Sequence, residues 1–206
     1  MKKFLIISLS LFFIKCENST YKNTHKILFE SLENEHTGID FINQLTYKPY
    51  LNIIEYLYYY NGGGVAVGDI NNDGLEDIFF TANQEIDRLY LNLGNFQFRD
   101  ITEQANIDLH PSWSNGVTMD DVNNDGFIDI YVSKLPMEGL FKNQRTHNLL
   151  YMNNGDLTFT ESSIDYGIDF SGFSTQSTFF DYDRDGDLDM YLMNHAVHSV
   201  RSYGTI

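Results

Sequence analysis

The chain has 206 residues and carries 29 Asp+Glu against 13 Lys+Arg, a formal net charge of −16. That balance argues against a nucleic-acid partner, because neutralising a phosphate backbone takes Lys and Arg, and it suits divalent cations instead. With 15% aromatics, 15 Gly and only 3 Pro, the composition fits packed strands and tight turns rather than disorder.

Residues 1–16 read as an export signal. Lys2 and Lys3 form a positive start, and Phe4 to Ile14 form an apolar run shorter than the ~20 residues a membrane span needs. Cys16, the one cysteine of the chain, follows. A hydrophobic stretch ending at a lone Cys resembles a bacterial lipoprotein signal, with Cys16 lipidated and the lipid as the only membrane contact. Lys15 stands where that signal prefers a small residue, so an ordinary secretory signal or an uncleaved anchor stays open beside it. The expected location is the outer membrane or cell surface, or the medium if no lipid is added. A lone Cys leaves no intrachain disulfide, so stability outside the cell must come from packing and metal. Residues 17–25 are polar and aperiodic and read as a short tether.

From residue 26 onward the chain is repetitive, and the repeat decides the fold. Residues 26–60 hold a partial copy and an insertion. Phe29 to Asp40 matches Phe159 to Asp169 and the stretch from Phe98 to Asp108, so it reads as a fourth strand without its own unit, placed to close the last unit of a ring. Residues 41–60 end in Glu55-Tyr56-Leu57-Tyr58-Tyr59-Tyr60. Such a cluster can form a sugar platform, but alternating strand residues with partly buried rings are the commoner outcome.

A first unit over 61–109, a second over 110–170 and part of a third over 171–206 then follow. Each contains an Asp/Asn/Gly loop, at 69–77, 121–129 and 181–189, with equivalent Asp residues 52 and 60 positions apart. Between the loops lie Leu89-Tyr-Leu-Asn92-Leu-Gly94 and Leu150-Tyr-Met-Asn153-Asn-Gly155, each a strand entering an Asn/Gly hairpin turn. A unit thus holds four short strands: one into the loop, one out of it, and the hairpin pair. Tandem four-stranded antiparallel units predict an all-β chain, a β-propeller with about two and a half blades present. Since a ring needs at least four blades, the sequence reads as part of a longer protein.

The loops have the donor pattern of a calcium site. Calcium takes six to eight oxygens. Side chains at positions 1, 3 and 5, a Gly at 6 that allows positive φ, the carbonyl of 7 and an Asp at 9 can supply most of them. These are Asp69, Asn71, Asp73, the Leu75 carbonyl and Asp77; Asp121, Asn123, Asp125, the Phe127 carbonyl and Asp129; and Asp181, Asp183, Asp185, the Asp187 carbonyl and Asp189. The third loop has four acidic ligand side chains where the others have three and an Asn, so it is expected to bind tightest. An EF-hand shares the opening but needs a Glu at position 12 and flanking helices. Here position 12 is Phe80, Val132 and Leu192, within strand-like flanks. Asx-rich turns alone would explain one copy, but not three with the same positions kept.

The loop block Gly64-Val-Ala-Val-Gly-Asp-x-Asn-x-Asp-Gly-x-x-Asp77 and the Leu-Tyr-x-Asn-x-Gly hairpin resemble FG-GAP/VCBS repeats, as in integrin α-subunit propellers. The nearest likeness is to bacterial VCBS-repeat proteins of the cartilage-acidic-protein type, which often end in an ASPIC/UnbV module. The likeness covers about residues 26–206. It implies a calcium-bound propeller, seven-bladed, exposed outside the cell, and it implies no particular ligand.

The expected function is that of a non-catalytic surface protein that binds an extracellular protein or glycan. The alternatives are the propeller part of a secreted hydrolase or polysaccharide-processing accessory protein, and a plain scaffold. The sequence has no nucleophile elbow, no phosphate-binding Gly-Lys loop and no His-Glu-x-x-His. His195 and His198 could form a metal pair, but with no third ligand in view, isolated loop histidines are the commoner case.

Overall fold

The computed structural model describes residues 28–137 and 145–196. The segments read as an export signal and a tether, Cys16 and His198 lie outside the described residues. By internal contacts the chain divides into Met1–Ser31 and Leu32–Ile206. Of the first unit only residues 28–31 are described, without regular structure.

The second unit begins with one helical turn, α1 (Asn34–Thr37), capped by Gly38 in the left-handed region at φ 74°. All other described elements are strands. β1 (Val65–Gly68), β2 (Asp77–Phe80), β3 (Arg88–Asn92) and β4 (Phe98–Asp100) form one sheet in sequence order. β5 (Ser114–Asp120), β6 (Asp129–Lys134), β7 (Leu149–Asn153) and β8 (Phe159–Glu161) form a second, and β9 (Ser174–Phe180) pairs with β10 (Asp189–Asn194). Every pairing is antiparallel. These are the expected units: two four-stranded blades and the first two strands of a third.

Burial explains why the strands read as they do. The middle blade lies between the others, so all of β6 and β7 is buried on both faces. Phe79, Leu89 and Leu91 of the first blade meet Val117, Ile130, Val132, Leu149, Tyr151 and Phe159 of the second. Tyr131, Leu150 and Met152 on the other face meet Phe179, Met190 and Leu192 of the third. The leading strands β1, β5 and β9 lie side by side. Glycine permits that approach: a Cβ on Gly64 would meet Asn115 O at 2.7 Å, and one on Gly116 would meet Thr175 O at 2.4 Å.

Two expectations for the N-terminal region are corrected. Residues 28–33 contain no strand. A strand forms only where a ladder partner satisfies its main chain, and no described strand lies in register with this segment. What does match the repeat is the following turn, and residues 39–46 lie against the outer face of the first blade. Phe41 stacks on Phe80 at 4.9 Å, Tyr90 donates to Asp40 Oδ1 at 2.8 Å, and Asn43 and Asn83 exchange two hydrogen bonds of 2.8 and 3.0 Å. The tyrosine run is likewise not a strand. Residues 52–61 wind through turns, with Tyr56 N donating to Asn52 O and Tyr59 N to Tyr56 O. Tyr56 and Tyr59, three apart, therefore face inward together, against Trp113 and Leu135.

Candidate metal centres

The three loops join β1 to β2, β5 to β6 and β9 to β10, at the same end of each blade. Their backbones agree. Position 6 is left-handed in all three, at Gly74 (84°), Gly126 (91°) and Gly186 (98°). Position 4 is left-handed too, at Asn72 (59°), Asn124 (58°) and Arg184 (65°). Asn tolerates that region and Arg does not favour it, so the Asn residues at 72 and 124 were the readable sign of this second kink.

The curl brings positions 1, 3 and 5 together. In the first loop Asp69 accepts the Asp73 and Gly74 amides at 3.1 and 2.7 Å, and Asp73 Oδ1 accepts the Leu75 amide at 2.8 Å. Asn71 Nδ2 donates to Asp73 Oδ2 at 2.9 Å. The second loop repeats this with Asp121, Asn123 and Asp125, including the Asn123 to Asp125 bond at 2.8 Å. In the third loop the Gly186 amide reaches Asp181 at 3.3 Å and the Asp187 amide reaches Asp185 at 3.2 Å, both longer than their counterparts, while the Asp185 amide goes to Asp183 at 3.3 Å. Asp183 replaces the amide, so no N–H separates the carboxylates. Oxygens of Asp181, Asp183 and Asp185 lie within 4.8 Å of one another, exposed to solvent. Three like charges that close repel, and a cation at their centre removes the repulsion. The Asp187 carboxyl joins the crowd, held above the usual range by its hydrogen bond to Asp185 and by the Asp185 charge.

Position 9 sits differently. Asp77 and Asp129 are buried, each with both oxygens on main-chain amides: Asp77 takes Ile70 N at 3.0 Å and Asn92 N at 2.7 Å, and Asp129 takes Val122 N at 3.1 Å and Asn153 N at 2.8 Å. Asp189 accepts Tyr182 N at 3.0 Å and is not in the Asp181–Asp183–Asp185 group. Burial lifts Asp77 and Asp129 to about 6, aided by the neighbouring loop carboxylates and opposed by the main-chain bonds. Position 9 thus ties the loop to its own blade, and its Oδ1 bond joins the two sequence motifs: the loop Asp grips the Asn that opens the hairpin. Leu75 and Phe127, expected as carbonyl donors, have their amides on Asp73 and Asp125.

Other ties were not foreseen. Asn72 Nδ2 donates to Gly126 O at 2.9 Å, loop to loop. Asn153 Nδ2 donates to Ile70 O at 2.8 Å and Ile128 O at 3.0 Å, holding two successive loops from one side chain. Near the other end of the blades, buried Asp87 accepts Ala82 N and Ser114 Oγ, both at 2.8 Å. Asn148 does the same work one blade on, accepting Lys134 N at 2.7 Å and donating to Ser174 Oγ at 2.9 Å. An Asp or Asn just before the third strand of each blade, with a Ser opening the next, was the available signal. Burial raises the Asp87 carboxyl and lowers the equally buried Lys134 ammonium, and the charge of each opposes the shift of the other.

His195 is no isolated loop histidine. Its Nδ1 lies 2.9 Å from Ala196 O and donates to that carbonyl, while its Nε2 lies 3.1 Å from the Tyr56 hydroxyl. The ring packs among Tyr56, Tyr58 and Phe173.

Residues 69–132, from the first loop through β6, match the FG-GAP-like repeat family. The chain carries FG-GAP-like repeats. It is also 30% identical over 135 residues to cartilage acidic protein 1 of Homo sapiens, covering 64% of this chain and 20% of that protein. It is 30% identical over 173 residues to cartilage acidic protein 1 of Xenopus tropicalis, covering 82% of this chain and 24% of that protein. The chain therefore spans between a fifth and a quarter of these relatives. The FG-GAP match encloses two whole acidic loops and the hairpin between them, the parts that the structure joins through Asp77 and Asn92.

Proposed function

We propose that this chain is a non-catalytic, exported repeat protein whose FG-GAP loops bind calcium, and whose blades present a surface to an extracellular protein or glycan. The observation that carries the reading is the exposed carboxylate triple of the third loop, set in a backbone curl that the two other loops share. The donors suit a hard cation: carboxylate and amide oxygens at positions 1, 3 and 5, with no thiolate and no imidazole in any loop. Calcium would be held by Asp69, Asn71 and Asp73, by Asp121, Asn123 and Asp125, and by Asp181, Asp183 and Asp185, with the carbonyls of position 7 and Asp77, Asp129 and Asp189 completing each set. Its chemistry there is charge neutralisation and cross-linking of a short loop. Export agrees with the apolar start of the sequence, and relatives named for cartilage and for acidity fit a protein that meets extracellular material. A lipid on Cys16 would tether it to the membrane.

Calorimetric titration of the whole chain with calcium tests the reading. Saturable heat is expected at a Kd of about 10⁻⁴ to 10⁻³ M, the usual range of extracellular calcium modules. Asp183→Asn should remove the tightest component, leaving two weaker ones. No heat from folded protein would end the calcium claim.

A further inference from the structure

At the end of β1, β5 and β9 away from the acidic loops lies a pocket of about 280 Å³. Both of the later leading strands are irregular there. The ladder of β5 with β6 slips between Ser114 and Val117, and that of β9 with β10 slips between Met193 and Asn194. Asn115 and Gly116 therefore stand outside regular pairing beside Thr175, which uses its hydroxyl to hold Met193 O at 3.1 Å. Bulges of this kind turn main-chain and side-chain groups out of the ladder toward a site. Gly62, Gly63 and Gly64 line the same opening, so backbone is accessible beside the side chains. One wall is rigid: the Tyr56 hydroxyl, His195 and Ala196 O form a single hydrogen-bonded chain with each donor committed.

The lining has a distinctive chemistry. Its side chains are Tyr56, Asn61, Asn115, Thr175, Gln176 and His195, and none is a carboxylate, although the chain has 29 of them. Asn115 Nδ2 is engaged by Ser174 O and Gln176 Nε2 by Val117 O, so these amides offer a ligand chiefly their oxygens, with the Asn61 amide beside them, and the hydroxyls of a ligand can donate to those oxygens. A charged ligand would find no counter-charge. An apolar peptide side chain would find little besides Tyr56 to cover it. Sugar hydroxyls meet both conditions. The volume lies just under the ~300–1,000 Å³ of pockets for drug-sized molecules, which is room for one ring and not for a long segment.

We propose that this pocket binds a single uncharged pyranose unit of a glycan, at the end of the blades opposite the calcium loops. The proposal rests on the reading of the protein as an extracellular binder and names its ligand class and site. Tyr56 comes from the insertion at 41–60, Asn61 and the glycines from the approach to β1, Asn115 from the second blade, and Thr175, Gln176 and His195 from the third. The site therefore exists only when the blades are packed together.

The test is saturation-transfer NMR on the whole chain with the methyl glycosides of glucose, galactose, mannose and N-acetylglucosamine, and with tetra-alanine as the peptide probe. Calcium heat is measured on the same sample. At least one glycoside should receive saturation and tetra-alanine none. Asn61→Trp, at an exposed loop position, should fill the opening and weaken that glycoside at least about tenfold without moving the melting temperature. Glu103→Gln, exposed on the outer turn of the first blade, should leave it unchanged. Silence from all four glycosides, transfer to tetra-alanine instead, or a glycoside signal untouched by Asn61→Trp would each overturn the proposal. With calcium heat intact, any of these would leave the calcium reading standing; loss of the heat alone would strike only that reading.

Discussion

Gly116 shows how much of this architecture depends on one missing side chain. It lies where β5 passes β9, and a Cβ there would sit 2.4 Å from Thr175 O, with Gln176 Oε1 closer still. The amide of Gln176 can swing aside, but the main-chain carbonyl cannot. Gly116→Ala should therefore cost about 1–3 kcal/mol, the usual range for overpacking, measured by urea denaturation. Gly62→Ala provides the contrast. Nothing lies within 4 Å of its Cβ position, so its cost is confined to the strain of an alanine at φ 85°. At the same scale, sequence reading captured Gly74, Gly126 and Gly186, because a Gly at a fixed loop position is a statement about φ. It missed the left-handed position 4, where Arg184 hides the pattern that Asn72 and Asn124 carry.

The elements are joined by a few asparagines that bind main chain, and these tie successive loops to one another. Asn153 is the clearest case. Its side chain holds Ile70 O of the first loop, Ile128 O of the second, and Gly155 N of its own turn at 2.9 Å. Asn92, its repeat partner, holds only Glu76 O and Gly94 N within its own blade. Asn153→Ala should cost about 2–3 kcal/mol, from buried hydrogen bonds worth roughly 1 kcal/mol each and partners left unpaired. Asn92→Ala should cost about half as much, and chemical denaturation of the two variants side by side checks the difference. The hairpins themselves were legible, since Asn/Gly turns between apolar runs are local signals. The segment from residue 32 to 60 was not. Its residues pair with Phe80, Tyr90, Asn83 and Gln84 of the first blade and pack on Trp113, and no local pattern announces contacts with partners that distant in sequence. A likeness to strand residues at Phe29 therefore did not make a strand, whereas the turn ending at Gly38 followed the likeness.

At the scale of the whole molecule, the two ends of the blades present different chemistry. Carboxylates crowd the loop end of the blades, and neutral amides, hydroxyls and glycine backbone line the pocket at the other end. Asn72 and Asn153 tie the first two loops together across the blade boundary, so an ion that stiffened one loop would also steady the next. The third loop, with longer internal bonds and three exposed carboxylates close together, would gain most from an ion. On the proposed reading, calcium would make the blades rigid, and the surface they present would depend on it. The most direct test is differential scanning calorimetry of the whole chain in EDTA and in calcium at about a hundred times the measured Kd. A ligand that binds only the folded state should then add about 2.7 kcal/mol per site and raise the melting temperature, and Asp183→Asn should lose part of that gain while melting higher than the parent in EDTA, where it removes like-charge repulsion. Identical melting curves with and without calcium would contradict the account.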